Sequence, residues 1–200
     1  MATYHPPVRD MQFVLHELLD AQAVFTSLPG FEEASADVIN AVLEEGGRLC
    51  EQVVFPTNRI GDEEGAKFSN GVVTLPTGFK QAYDSLRAGG WFSLGCDPAY
   101  GGQGLPHTLN VFFEEMLQSA NMSFALYPGL TRGAYMAMRQ HASGELNETY
   151  LHKMVSGEWT GAMCLTEPHC GTDLGLLRTR AEPREDGGYA LTGTKIFITG

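Results

Sequence analysis

One segment concentrates the groups that can do chemistry: Met163-Cys164-Leu165-Thr166-Glu167-Pro168-His169-Cys170-Gly171-Thr172-Asp173. Strand-type residues run into a Thr-Glu-Pro corner, then into a loop of small residues that ends Gly-Thr-Asp. Backbone N–H groups and the hydroxyls of Thr166 and Thr172 collect at a concave edge, and Gly171 lets a ligand approach the main chain closely. Such an edge can hydrogen-bond the polar rim of a heterocycle or a phosphate; the same residues also build an ordinary turn. Cys164, His169 and Cys170 raise the question of a metal or a thiol nucleophile. The ligand set is incomplete, and adjacent His and Cys side chains point apart in an extended chain. Packing or pocket lining is the plainer reading, and no metal is assigned.

Two glycine-rich stretches fail as nucleotide loops. In Gly101-Gly102-Gln103-Gly104, His107 stands where a dinucleotide fingerprint needs its third glycine. Gly188 and Gly193 have the spacing of a phosphate-binding loop, but Thr194-Lys195 reverses the required order.

The elements that must hold these residues are mostly helical. Val38, Ile39, Val42, Leu43, Leu49, Cys50, Val53 and Val54 form the stripe of a 3.6-residue period and predict a helix from Ala36. Ser35 or Asp37 caps its start, and Pro56, with no N–H for the ladder, stops it. A helix opening at Pro76 places Phe79, Ala82, Tyr83 and Leu86 on one face and ends at Gly89-Gly90. Another runs from about Pro106 through Leu109, Phe113 and Leu117. The stretch 123–139 is apolar on most sides, as in a buried bundle helix, with a break or kink expected at Pro128-Gly129. A last helix covers about Glu145 to Val155. Met11, Val14, Leu15, Leu18 and Leu19 predict one over 10–20, while 21–30 has no readable pattern. Phe112, Phe113, Met116, Met122, Phe124, Tyr127, Tyr135, Met136 and Met138 read as bundle core, an apolar channel between helices being the alternative.

After Gly157 strands are expected at 159–166, 177–182 and 189–199, the last entered through Asp186-Gly187-Gly188. The chain is therefore an α+β multidomain protein: an N-terminal extension at 1–35, a helical N-terminal domain at 36–157 and the start of a middle β domain at 158–200. The strand signal reaches Gly200 with too few strands to close a sheet. That would leave an edge of unpaired backbone groups, so the β domain is expected to continue further.

Composition sets outer limits. Apolar types make up 43% of the 200 residues and charged types 18%, enough for a core, and the net charge is −11. An acidic surface repels phosphate backbones and anionic membranes, so neither nucleic acid nor membrane insertion is expected. Four cysteines without a CxxC, and an N-terminus without a secretory signal, point to reduced thiols and a cytoplasmic location.

The 163–173 segment resembles the flavin-binding signature of acyl-CoA dehydrogenases, in which Cys-x-Thr-Glu-Pro leads to Gly-Ser/Thr-Asp. Gly193-Thr194-Lys195-Ile196-Phe197-Ile198-Thr199 is similar to a second strand of that family, at the right separation. Gly89-Gly90-Trp91 and Tyr100-Gly101-Gly102-Gln103-Gly104 are similar to its helical domain. His169-Cys170-Gly171 replaces the common Gly-Ala-Gly, and Phe197 replaces Trp. Both departures, with 4–13 and Leu28-Pro29-Gly30, look like the longer bacterial branch that includes 3-methylmercaptopropionyl-CoA dehydrogenases.

The resemblance implies an FAD-dependent oxidoreductase that converts an acyl-CoA to the trans-2-enoyl-CoA in fatty-acid or related catabolism. It implies a homodimer or homotetramer, a C-terminal helical domain, and electron-transferring flavoprotein or a similar acceptor. Met163, Leu165 and Thr166 would border the flavin ring, with Phe197 and Ile198 against it. Thr199 would offer its hydroxyl to the redox-active nitrogen, and Thr172 would reach the FAD pyrophosphate and the CoA. Glu167 is structural at the corner. The catalytic base is expected C-terminal to residue 200 and is not assigned. A flavin oxidase or monooxygenase on the same fold is one alternative, a non-catalytic binding protein the other.

Overall fold

The computed structural model describes residues 3–198. Helix α1 (Val8–Gln12) widens into a π turn over Phe13–Leu18, and α2 (Ala21–Thr26) follows, in the stretch without a readable pattern. Helix α3 (Ala36–Leu49) starts where its stripe predicts, with the Ser35 hydroxyl accepting from the Val38 N–H at 3.3 Å. Its buried face of Ile39 and Leu43 shares one core with Met11, Leu15, Phe25 and Ala34 from the first 35 residues.

Pro56 does not stop the helical path. A π turn at Cys50–Val54 re-aims the chain, and Pro56 then opens α4 (Pro56–Glu64), where a missing N–H costs nothing. A hairpin that apolar periodicity does not reveal comes next: β1 (Lys67–Ser69) pairs with β2 (Val72–Thr74) in antiparallel register Phe68↔Val73. Its signal is the dipeptide Asn70-Gly71, whose positive φ values of 51° and 79° suit a two-residue turn.

Helices α5 (Phe79–Ala88), α6 (His107–Ala120), α7 (Met122–His141) and α8 (Gly144–Val155) complete the bundle. Of the break or kink expected at Pro128-Gly129, the break does not occur. Pro128 is buried within a continuous α7, and the lost ladder bond, about 3 kcal/mol, is offset by packing of Phe124, Ala125 and Tyr135. Asn121 also holds the helix start: its Oδ1 accepts from the Phe124 N–H at 3.1 Å, and its Nδ2 donates to Thr57 Oγ1 at 2.9 Å. Phe113, Met116, Phe124 and Tyr135 are core as expected, but Met122 and Met136 are about half exposed.

The β region departs further from expectation. Residues 159–166 form no named strand among the described residues, and Thr160 and Gly161 take side chains of α7 as partners. Tyr127 Oη donates to Thr160 Oγ1, and the Gly161 N–H donates to Thr131 Oγ1, both at 3.1 Å. The later strands shrink to β3 (Arg180–Pro183) and β4 (Tyr189–Thr192), paired antiparallel as Arg180↔Thr192 to Pro183↔Tyr189. Beyond Thr192 the chain turns in toward residue 166, and Phe197 adopts a left-handed φ of 54°. Both faces of β3 and β4 are exposed.

Asn121→Ala removes a cap and the buried Nδ2 bond to Thr57, whose hydroxyl keeps its own bond to Val54 O. An expected loss of about 2–3 kcal/mol in denaturant unfolding tests the assignment; a loss within noise would show that α7 is anchored elsewhere.

Candidate functional site

The corner is organised by one carboxylate. The Glu167 backbone closes the turn through Glu167 N–H to Cys170 O at 2.9 Å and Cys170 N–H to Glu167 O at 3.1 Å. Its side chain, only 3% exposed, points inward. Oε2 accepts from the Arg178 N–H at 2.8 Å, and Oε1 accepts from the Thr179 N–H and Lys195 Nζ, both at 2.9 Å. Lys195 also donates to Leu165 O at 2.9 Å. Thr179, the Arg178 N–H and the Lys195 ammonium hold the carboxyl well below the usual carboxylate range. Such a group cannot serve as a proton acceptor near neutral pH, which agrees with its reading as structural.

The corner also joins the two sequence motifs. The Ile196 N–H donates to Thr166 O at 2.9 Å, so 163–166 and 196–198 lie side by side. Gly193 permits this crossing: a Cβ there would come within 2.8 Å of Thr179 Cα. Met163, Leu165, Phe197 and Ile198 are 59%, 37%, 86% and 48% exposed, an apolar surface that no other described residue covers. Among the described residues, the Thr166 N–H and hydroxyl meet no protein acceptor. Gly171 lies against Thr166, a Cβ there meeting Thr166 Cγ2 at 3.5 Å, which brings exposed Thr172 to the same edge. Thr199 lies outside the described residues.

Glu167, His169 and Cys170 come together, with their ligand atoms all within 4.8 Å. Two of the three are already engaged. Glu167 serves three donors, and His169 Nε2 lies 2.9 Å from Leu176 O, the geometry of an N–H donor. The trio braces the loop rather than offering an open ligand set. Cys164 is exposed and free.

The apolar channel that the sequence offered only as the alternative to bundle core exists as a cavity of about 220 Å³ between α5, the 91–96 turn, α6, α7 and α8. Trp91, Phe113 and Leu117 give it apolar walls, and Trp91 and Phe113 stack at 4.7 Å. Glu114 Oε2 and Arg132 Nη2 form an ion pair at 2.8 Å in its lining. Burial pushes the Glu114 carboxyl up, against the pull of Arg132 and His107. Helix α7 lines this cavity and also anchors Thr160 and Gly161, so one helix serves both features. The approach is close: a Cβ on Gly161 would meet Ala134 Cβ at 2.7 Å.

Residues 40–158 match the family model described as Acyl-CoA dehydrogenase, N-terminal domain. With the helical bundle and the corner as described, the chain belongs to the acyl-CoA dehydrogenase family. It is 44% identical over 98% of its length to 3-methylmercaptopropionyl-CoA dehydrogenase of Ruegeria pomeroyi, covering 33% of that protein. It is 34% identical to a butyryl-CoA dehydrogenase of Syntrophomonas wolfei, over 96% of this chain and 32% of that one. The solved structure of butyryl-CoA dehydrogenase from Megasphaera elsdenii superposes with a TM-score of 0.68 at 26% identity, covering 81% of this chain and 40% of its own. The chain thus spans about a third of the length of the curated relatives it matches.

The Glu167 hub makes a pH prediction. A carboxyl depressed in the folded state stabilises fully above its unfolded pKa of about 4.3 and loses that contribution as pH falls through the lower folded value. Amide exchange over 163–198, corrected for intrinsic rates, is expected to show the native corner closed down to about pH 4.3. In Glu167→Gln it is expected to be open at every pH. Equal protection in both proteins would break the hub assignment.

Proposed function

We propose that the protein is an FAD-dependent acyl-CoA dehydrogenase that removes hydrogen from the α and β carbons of an acyl-CoA thioester, giving the trans-2-enoyl-CoA. The observation that carries this is the Thr166–Ile196 hydrogen bond. It sets two flavin-type motifs edge to edge, under an uncovered apolar surface with free donors beside it.

The residues present fit an isoalloxazine ring. Met163, Leu165, Phe197 and Ile198 would pack against its apolar faces, and the Thr166 N–H and hydroxyl would donate to its polar edge. Thr172 would approach the pyrophosphate and the CoA, and Thr199 would offer its hydroxyl at the reactive nitrogen. When bound, the flavin supplies the electron sink for the hydride. The chain's own work is then to orient the ring, exclude water from its faces and hold the thioester near it. Glu167 stays outside the proton transfer because its oxygens are taken, and no base is assigned among these residues.

The helical cavity would seat the acyl tail. Its volume of about 220 Å³ lies below the ~300–1,000 Å³ of pockets for drug-sized ligands, which supports a short or medium tail. The acyl groups named for the Ruegeria and Syntrophomonas relatives, 3-methylmercaptopropionyl and butyryl, are of that size. The same reading takes 36–157 as the helical domain behind an extension at 1–35, and 158–200 as the opening of the flavin-binding domain. It assigns electron-transferring flavoprotein or a similar acceptor, a homodimer or homotetramer, and a cytoplasmic location. No helix among the described residues is long and apolar enough to cross a membrane.

An anaerobic visible spectrum of the full-length protein, titrated with acyl-CoAs from short to long, tests this. Bleaching of an oxidised-flavin band by a short or medium acyl-CoA is the expected result. Peroxide formation in air at the rate of turnover would move the protein to the oxidases, and absence of bound flavin would end the reading. Thr166→Ala, which removes one hydroxyl donor to the ring, is expected to weaken flavin retention about fivefold.

A further inference from the structure

One wall of the cavity in the helical domain has open space behind it. Trp91 lines this cavity of about 220 Å³ and also a second one of about 180 Å³, bounded by Ala41, Val42, Gly89, Leu94 and Gln103. The pyrrole edge of the indole lies over Gly89, a residue of the second cavity, where a Cβ would come within 2.6 Å of Nε1. Phe113, a residue of the first, stacks on the indole with ring centroids 4.7 Å apart and planes inclined by 23°. The indole therefore stands between the two spaces. Tyr135, Met154 and Val155, which also line the first cavity, back onto a packed cluster with Leu151 instead.

The place of the indole is set from helix α3. Glycine is the poorest helix former after proline, yet α3 carries Gly46 and Gly47 side by side, both buried. Gly47 makes room for the N-terminal segment: a Cβ there would meet Val8 Cγ2 at 3.1 Å and Pro6 Cβ at 3.4 Å. Gly46 makes room for the stacked rings. A Cβ there would lie 3.0 Å from both Phe113 Cδ2 and Trp91 Cζ3, inside the ~3.5–4.0 Å of an ordinary carbon–carbon contact. Gly89 already stands against the pyrrole edge, so rings pushed off α3 move into the first cavity, which both of them line.

Of the residues lining that cavity, Gln118, Leu126 and Gly129 are the exposed ones, which puts its mouth between α6 and α7. Trp91 belongs to neither helix and closes the cavity on the side of the 91–96 turn. An alkyl tail gains by burial with each methylene until it reaches this wall. The next methylene has to displace a pinned ring, and overpacking of that kind costs more than the burial returns.

We propose that Trp91 is a specificity-determining residue that sets the upper length of the acyl tail, and that Gly46 is a positioning residue that lets the indole sit back against α3. The assignment rests on the dehydrogenase reading above, with the tail seated in this cavity. Shrinking the indole and filling the space behind it then act in opposite directions on the same limit.

The test is a length series from butanoyl-CoA to dodecanoyl-CoA. Calorimetric binding is measured on the full-length, flavin-loaded protein after dithionite reduction, which blocks turnover, and kcat/KM is measured on the oxidised enzyme. In the native protein affinity is expected to rise with tail length and then stop. Trp91→Phe keeps a ring on Phe113 but shortens the wall, and Trp91→Ala joins the two cavities. Both are expected to move the stop to longer tails, the first thioester beyond the native limit gaining about tenfold in Trp91→Ala. Gly46→Ala is expected to move the stop to shorter tails, with the longest one accepted by the native protein losing about tenfold against butanoyl-CoA. A merely structural role would lower the melting temperature of the variants and leave the order of lengths alone. A limit unchanged in Trp91→Phe and Gly46→Ala would overturn the assignment. So would a shift in the same direction in both, or a native protein with no limit up to dodecanoyl-CoA. If the native protein binds no acyl-CoA, the dehydrogenase reading fails; if it binds them with a limit that these variants leave in place, only the role of Trp91 fails.

Discussion

The β end of this chain depends on burying one carboxylate. Taking Glu167 out of water without partners would be strongly unfavourable, and the chain meets that cost with backbone N–H groups and one ammonium. Those partners come from 178–179 and from Lys195, segments distant in sequence. Satisfying one side chain therefore fixes three stretches at once. The Thr166–Ile196 bond and the uncovered apolar surface beside it follow from that arrangement. Within the described residues, directed polar contacts to Glu167 are what join these stretches.

The helical domain works by the opposite principle. Its cohesion comes mainly from apolar side chains contributed by α1 to α3 and α5 to α7, with a small set of long-range polar contacts such as Asn121 to Thr57. Against that background the Glu114–Arg132 pair stands out, since ionic groups within a bundle are no general source of stability. Helix α7 connects the two regimes. One of its faces lines the cavity, and Tyr127 and Thr131 hold the peptide that runs into the corner.

Helix legibility followed the strength of local signals. The α3 stripe, its Ser35 cap and the Gly89-Gly90 stop were readable because each acts within a turn or two of chain. The two prolines were misread for the same reason. Locally Pro56 and Pro128 are breakers, but Pro56 opens the next helix, and Pro128 is held inside α7 by packing from other helices. The strands were overdrawn because β-type residues at 159–166 and 193–198 find side chains or single bonds as partners instead of a ladder.

The sequence alone determined the order of helices followed by a β region, and the motif residues at 163–173 and 193–199 that mark the family, because spacing and residue type are properties of the chain itself. It also identified Glu167 as structural, through the resemblance. Only the tertiary structure decided why: three donors from remote positions converge on that carboxylate. Only the tertiary structure decided between a filled core and the cavity, since its walls come from residues far apart in sequence and enclose a volume no local pattern encodes. The Arg132 donors that meet no acceptor among the described residues belong to the same class. A missing partner is a fact about everything within hydrogen-bond reach, which the fold sets and the order of residues does not.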